Sequence, residues 1–411
     1  MRRLWPLTVR GTGALVLGIA SIIASGELGL VELVWFGILL LTLTAASMGV
    51  VWATRGRADV TRVIAPRRPV SGEEIDVAVR VLLRTALPAS GGRWRDGLSD
   101  GLAGDADGTF PTLPSGLSRG EREAHVSYRV TAGRRGIHWL GPLELTSTDP
   151  FGIARRTVSL GEPTRVVVTP AVVDLPSLAG VPGRSGGADA VRLNRLGQGS
   201  DDVIARPWAP GDSMRRIHWR ASAHRDELMV RQEEQESSPE ATVVLDRGVA
   251  RWSPEAMEST AADDAFESAV RACAAVVARL AHDGYAVDVC DADGALLCDR
   301  IDPGDAAGLD AAMLMLATVQ ARLDDHLLAL VDLFAGETTG PLIVVTGRLD
   351  EADAATLSAV GHHSSFPVLL ATSPGPGALD AASGWAAAQL QDDVSRSWHA
   401  AVDRRLGHVG S

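Results

Sequence analysis

The strongest constraint on this chain is an uncharged apolar run, Leu33 to Trp52. It supplies about the 20 residues that a helix needs to cross a bilayer core. Trp35 and Trp52 lie near its ends, where interfacial aromatics collect. A shorter apolar run, Gly11 to Ser25, precedes it. Behind Arg2, Arg3 and Arg10 that run reads either as a first span or as a signal peptide. Charge arbitrates the orientation. Arg2, Arg3 and Arg10 flank the pair on one side and Arg55, Arg57 and Arg62 on the other, while the connector offers only Glu27 and Glu32. The positive-inside rule then predicts a transmembrane hairpin over 1–56, a cell-membrane protein with two spans and cytoplasmic soluble domains. A cleaved signal followed by a stop-transfer helix leaves the same region inside. Only Leu33 to Trp52 acting as the sole span, entered from the cytoplasm, reverses it.

The remaining length is enough for two buried cores. A hydrophobic share of 46% and a charged share of 22% are those of a globular protein. A net charge of -12 argues against a surface that grips nucleic acid as a whole, although a local basic patch is compatible with it. Cys273, Cys290 and Cys298 form no CxxC and no metal-type spacing. They are expected as free thiols, mostly buried.

Residues 57–170 read as strands. Ile75, Val77, Val79 and Val81 alternate with polar or small neighbours, as do Val126, Tyr128 and Val130. Further strands are expected at Ile137 to Leu140, Leu143 to Thr146, Ile153 to Ser159 and Arg165 to Thr169. Turns fall at Gly91-Gly92, Gly133, Gly141-Pro142 and Asp149-Pro150-Phe151-Gly152. Short strands at this spacing predict an immunoglobulin-like β-sandwich.

Residues 171–239 combine a glycine-rich loop, Asp174 to Asp202, with an arginine-rich stretch, Arg206 to Glu234. The loop has glycines but no GxxxxGK[ST], which weakens a nucleotide reading. In the stretch, Asp212 or Ser213 is placed to cap a helix, with Ile217, Ala221, His224 and Leu228 near one face. Arg206, Arg215, Arg216 and Arg220 could form an anion site. The plainer expectation is pairing with Asp212, Asp226 and Glu227, with Ile217 and Trp219 in the core and the segment acting as a clasp between two domains.

The run Arg206, Trp208, Gly211, Asp212, Ser213, Arg215, Ile217, Trp219, Ser222, Ala223, Leu228, Val230 resembles the signature of the domain of unknown function 58 family. Arg135-Gly136, Gly141-Pro142-Leu143 and Asp149-Pro150-Phe151-Gly152 match its pattern too. Trp208 stands where tyrosine is usual and His224 where arginine is usual. The resemblance implies a membrane-anchored protein that partners a MoxR-type AAA+ ATPase, with a transglutaminase-like membrane protein as a further companion.

From 240 to 411 strands alternate with helices. Strands are expected at Ala241 to Asp246, Tyr285 to Asp291, Leu342 to Thr346 and Phe366 to Ala371, with a hairpin at Asp293-Gly294 into Leu296 to Arg300. Helices are expected over Glu255 to His282, Asp310 to Phe334 and Asp350 to Val360, with more helix to the end. Such alternation predicts a mostly parallel, doubly wound sheet whose crevice lies at the strands' carboxyl ends.

The order is similar to a von Willebrand factor A domain, a Rossmann-type α/β fold. Asp246 falls where that fold starts a metal-binding Asp-x-Ser-x-Ser. Arg247-Gly248-Val249-Ala250 lacks both hydroxyls, and Gly347-Arg348 adds a cation, so Asp246 is read as a degenerate metal site that binds no metal. No GxSxG or HExxH is present. Asp263-Asp264 and Asp324-Asp325 are read as solvated faces or acid partners for arginines.

The whole is thus expected to be an α+β multidomain protein without enzyme activity or cofactor. It would be a membrane-embedded interaction scaffold assisting envelope-protein assembly or maturation, with no nucleic-acid partner. The alternative is an anion-, nucleic-acid- or lipid-headgroup-binding protein that uses the arginine-rich segment.

Overall fold

A computed structural model describes residues 6–53, 57–84, 91–111, 122–178, 204–208, 214, 217, 219–225, 227–232, 239–260, 262–335 and 339–409. The chain divides into two compact units, Met1–Thr169 and Pro170–Ser411.

The first unit opens with α1 (Val9–Leu28) and α2 (Val31–Ala53). The Thr8 hydroxyl accepts the Gly11 N–H to cap α1. Gly29 ends it in the left-handed region at φ 67°, its N–H donating to the Ser25 carbonyl. The first apolar run is therefore longer than Gly11 to Ser25, and both helices are long and apolar enough to cross a membrane. They pack closely because a Cβ on Gly37 would lie 2.7 Å from the Gly18 carbonyl oxygen. Val16, Ile23, Trp35 and Leu39 face outward and exposed.

Two sheets follow. β1 (Arg57–Ala65), β2 (Glu74–Arg84), β6 (Arg122–Ala132) and β4 (Leu102–Ala103) lie in the order β1-β2-β6-β4. The second runs β5-β3-β7-β8, from β3 (Gly92–Leu98), β5 (Asp107–Phe110), β7 (Gly136–Thr148) and β8 (Arg155–Leu160), with β9 (Thr164–Val168) also on β7. Ile75, Val77, Val79, Val81 and Val130 from one sheet share a core with Trp94, Leu140, Leu143 and Val168 from the other.

Period-two alternation thus located β2 and β6 correctly. It split β7 in two, however. β7 is continuous, but its partners change midway: Gly136 to Leu140 pair with β9, and Leu143 to Thr148 with β8. Gly141-Pro142 sits between the two ladders, where the proline's missing N–H breaks neither. Gly92 opens a strand rather than closing a turn.

The second unit holds a five-stranded parallel sheet, β13-β12-β14-β15-β16. Its strands are β12 (Glu240–Leu245), β13 (Ala286–Cys290), β14 (Thr339–Leu349), β15 (Ser364–Pro374) and β16 (Ala386–Gln389). Val243, Leu245, Val289, Ile343, Val345 and Val368 face a core shared with the long helices Asp264–His282, Ala306–Thr318 and Val394–Val409. Val244, Leu342, Val344 and Leu369 face a second core under helix Glu351–Gly361. Strands buried on both sides read as near-continuous apolar runs, as they do here.

Three boundaries need correction. The helix expected over Glu255 to His282 is a single turn, Glu255–Glu258, followed by a longer helix that Asp263 caps by accepting the Ala265 and Phe266 N–H groups. The helix expected over Asp310 to Phe334 stops at Thr318, because Arg322 bridges to Gly248 and its backbone exchanges hydrogen bonds with Arg247 and Val249. The terminal region expected to be all helix contains β16, an alanine strand that lacks a strand-like pattern of its own. The Asp293-Gly294 hairpin forms, with Leu296 bridging Cys290 and Ile301 bridging Val287.

Candidate functional site

The strand order makes one position special. From β12 the chain steps to β13 on one side, then crosses to β14 on the other. The carboxyl ends of β12 and β14 therefore flank the point where the order reverses, which in open α/β sheets is where crevices form.

Asp246 follows β12 and is fully buried. Thr346 of β14 donates its hydroxyl to Asp246 Oδ2 at 2.6 Å, and the Gly248 N–H donates to Oδ1 at 3.0 Å. Burial pushes the carboxyl up to about 6, against the pull of these hydrogen bonds and of Arg251.

Arg251 is the centre of the arrangement. Its guanidinium lies 3.9 Å from Asp246 Oδ2, 3.2 Å from Asp325 Oδ2, and hydrogen-bonds Asp353. It also donates to the Arg348 carbonyl at 3.2 Å. Burial opposes its charge, but the Asp353 hydrogen bond and the charges of Asp325 and Asp246 outweigh it and raise its pKa above the ordinary arginine value. Arg348 donates to the Ala250 carbonyl at 3.0 Å and also to that of Trp252. The Trp252 indole donates to the Asp246 carbonyl at 3.0 Å.

A cleft of about 480 Å³ opens over this cage, lined in part by Arg251, Asp325, Arg348, Asp353 and Ser373. Beside it, Arg322 lies 3.1 Å from Asp291 and 2.7 Å from Asp293, and Arg247 lies 3.5 Å from Asp291.

This arrangement does not fit a divalent cation. The guanidinium of Arg251 already occupies the space beside the Asp246 carboxylate, and Arg247 and Gly248 bring no hydroxyl. Among the described residues no group of His, Cys, Asp and Glu is arranged to bind a metal. Thiol chemistry is disfavoured as well. Burial pushes Cys290 up to about 12 and raises Cys273 too, so both stay protonated at neutral pH.

The family-motif residues fall elsewhere, in the same unit as the parallel sheet. Arg206 lies in β10 (Ile204–Pro207), opposite Val230 of β11 (Met229–Gln232). The Trp208 N–H donates to the Leu228 carbonyl at 2.7 Å, extending that pairing, and Leu228 is exposed. Ile217 is buried as expected. The helix starts only at Trp219 and runs to Arg225, too short for a face from Ile217 to Leu228. Trp219 is not in the core: it is 69% exposed at the head of that helix. Ser222 Oγ instead ties the helix to β11, accepting the Met229 N–H at 2.8 Å. Gly211, Asp212, Ser213 and Arg215 lie outside the described residues.

Arg251, Thr346 and Asp353 escaped sequence reading, since they come from three separate segments and form no motif. Asp325 was legible only as a possible acid partner for an arginine.

A comparison with solved structures returns the cohesin module of a family 33 glycoside hydrolase from Clostridium perfringens. It is 9% identical, covers 29% of this chain and 99% of that chain, and has a TM-score of 0.20. A β-glucosidase from Listeria innocua is 12% identical over 26% of this chain and 16% of its own length, with a TM-score of 0.15. At those scores neither likeness carries an argument. A comparison with curated proteins gives no match. Residues 204–300, from β10 through the hairpin beyond β13, match the model described as "Protein of unknown function DUF58", and through that segment the chain belongs to this family.

Proposed function

We propose that this protein is a membrane-anchored interaction scaffold rather than an enzyme, its two sheets forming an immunoglobulin-like sandwich and its parallel sheet a metal-free von Willebrand factor A-like domain. The observation that carries this reading is the Arg251 cage. At the position where an α/β sheet offers a ligand its reactive groups, each central charge is consumed internally: Arg251 by Asp246, Asp325 and Asp353, and Arg348 by two carbonyls. Such a site presents a rigid surface rather than a free acid, base or nucleophile.

The arginine asymmetry around the helices supports a cytoplasmic position for both soluble domains. The partner suggested by family resemblance is a MoxR-type AAA+ ATPase, with a transglutaminase-like membrane protein as a companion, in envelope-protein assembly. Fold-level analogy is the only support for that partner. Affinity capture of the full chain from detergent extracts under ATP-trapping conditions is expected to recover such an ATPase. Its repeated absence would overturn the reading. A reporter fused at Ser411 tests the orientation, and an external C-terminus would remove a cytoplasmic ATPase from consideration.

A further inference from the structure

The loop Asp149–Ala154 is built against the start of the first apolar helix. Leu7 bridges Ala154 in antiparallel fashion, and the Arg155 N–H donates to the Pro6 carbonyl at 2.8 Å. The Thr8 N–H donates to the Ile153 carbonyl at 2.9 Å, and its hydroxyl donates to the Gly152 carbonyl at 2.5 Å. Gly11, in the first turn of α1, lies so close that a Cβ there would meet the Ile153 carbonyl oxygen at 2.1 Å. From the sandwich side, the buried Asp149 carboxylate accepts the Phe151 N–H at 2.9 Å and the Ala154 N–H at 2.6 Å.

The loop is thus fastened on both sides, yet the Phe151 side chain is 62% exposed at its tip. A loop bonded to Thr8 stands at the level where α1 begins, which for a spanning helix is the boundary between headgroups and acyl chains. Arginines share that level. Arg10 Nη1 approaches to 3.8 Å from where a Gly152 Cβ would lie, and Arg155 is bonded to Pro6. The Arg156 guanidinium lies 6.0 Å over the ring of Trp52, at the end of α2 that returns to the same side. An apolar tip amid cations on a rigid support is the composition that binds a bilayer interface containing anionic lipid.

We propose that this loop is a lipid-contacting foot. Phe151 enters the interface while Arg10, Arg155 and Arg156 take the phosphates of anionic headgroups, setting the sandwich at a fixed height and tilt. The proposal rests on α1 and α2 crossing a bilayer, and the test separates the two ideas.

The full chain, with Cys298→Ser and one fluorophore-labelled cysteine at Phe151→Cys, Val16→Cys or Leu296→Cys, is reconstituted into vesicles of phosphatidylcholine with or without phosphatidylglycerol. Val16 on the outer face of α1 is the lipid reference, and exposed Leu296 the aqueous one. With anionic lipid, the label at 151 is expected to be quenched by iodide at least about threefold less than at 296, as a side chain seated in the interface requires. Changing Arg155 and Arg156 to Gln is expected to remove the gain that phosphatidylglycerol gives. If 16 is shielded while 151 is quenched like 296, the foot is overturned and the spanning hairpin stands. If 16 is quenched as well, the spanning reading fails and takes the foot with it. Shielding at 151 that ignores both phosphatidylglycerol and the arginine changes overturns the headgroup role.

Discussion

Thr346 donates a 2.6 Å hydrogen bond to Asp246, joining the ends of the two strands between which the sheet order reverses. The bond comes from a hydroxyl rather than a cation, and the charge nearest the same oxygen is Arg251 at 3.9 Å. Asp246 is therefore a buried carboxyl whose ionisation is resisted by its surroundings, in a place where a metal-binding sheet would promote it.

Stability should depend on pH through this group. Its pKa is about 6 in the folded protein, against about 4 when unfolded. Between those values the folded form retains a proton that the unfolded form has released. The contribution of Asp246 is therefore fully present below about pH 4 and lost as pH rises through 6, a change on the order of 2 kcal/mol. Asp246→Asn lacks that falling limb. Urea midpoints of both proteins, measured from pH 4 to pH 7, are expected to converge or cross as pH rises; parallel curves would refute the assignment.

Arg251→Ala leaves Asp246, Asp325 and Asp353 facing one another without their shared cation. The expected loss is about 3 kcal/mol, as for removal of one partner from a buried ion pair. It should be smaller at pH 5 than at pH 8, because protonated carboxyls repel less. Arg251→Lys should recover only part of it, since a single ammonium cannot fork toward three acids. Thermal unfolding in detergent reads both effects.

Inside the sandwich, Arg62 of β1 pairs with Asp96 of β3 with both side chains fully buried, through bonds of 2.8 and 2.7 Å. Tyr128 of β6 donates to the same carboxylate at 2.7 Å. Burial, then the Asp96 interaction, raises the Tyr128 pKa and keeps the phenol a donor. Arg62→Ala should cost about 3–5 kcal/mol by stranding Asp96, and Tyr128→Phe only about 1 kcal/mol because Arg62 still satisfies it. Equal costs in chemical denaturation would contradict this hierarchy.

Trp219 and Ser222 should separate function from stability. Trp219→Ala removes an exposed side chain and is expected to change stability by less than about 0.5 kcal/mol, while weakening recovery of the captured ATPase. Ser222→Ala removes the acceptor for the Met229 N–H and should cost about 1 kcal/mol. A Trp219→Ala protein that melts early would place the ring in a core after all.

Legibility followed the range of the forces involved. The apolar helices, the alternating strands β2 and β6 and the parallel-strand runs are written in local periodicity, which a sequence displays directly. β3 was missed because its inward-facing Asp96 looks like a surface residue until Arg62 is brought to it from another strand. The helix after Ala306 was overextended because its end is set by a bridge between Arg322 and Gly248, not by a local stop signal.

By itself, then, the sequence determined the class of each region, the family segment and the unsuitability of Asp246 and its neighbours for a metal, since these depend on side-chain type and on spacing along the chain. Only the tertiary structure decided what replaces the metal, that Trp219 is outside while Ile217 is inside, and that the Asp149–Ala154 loop grips the first helix. Those are relationships between segments far apart in the chain. They arise when burial of the two cores brings charges and backbone groups together and obliges them to pair.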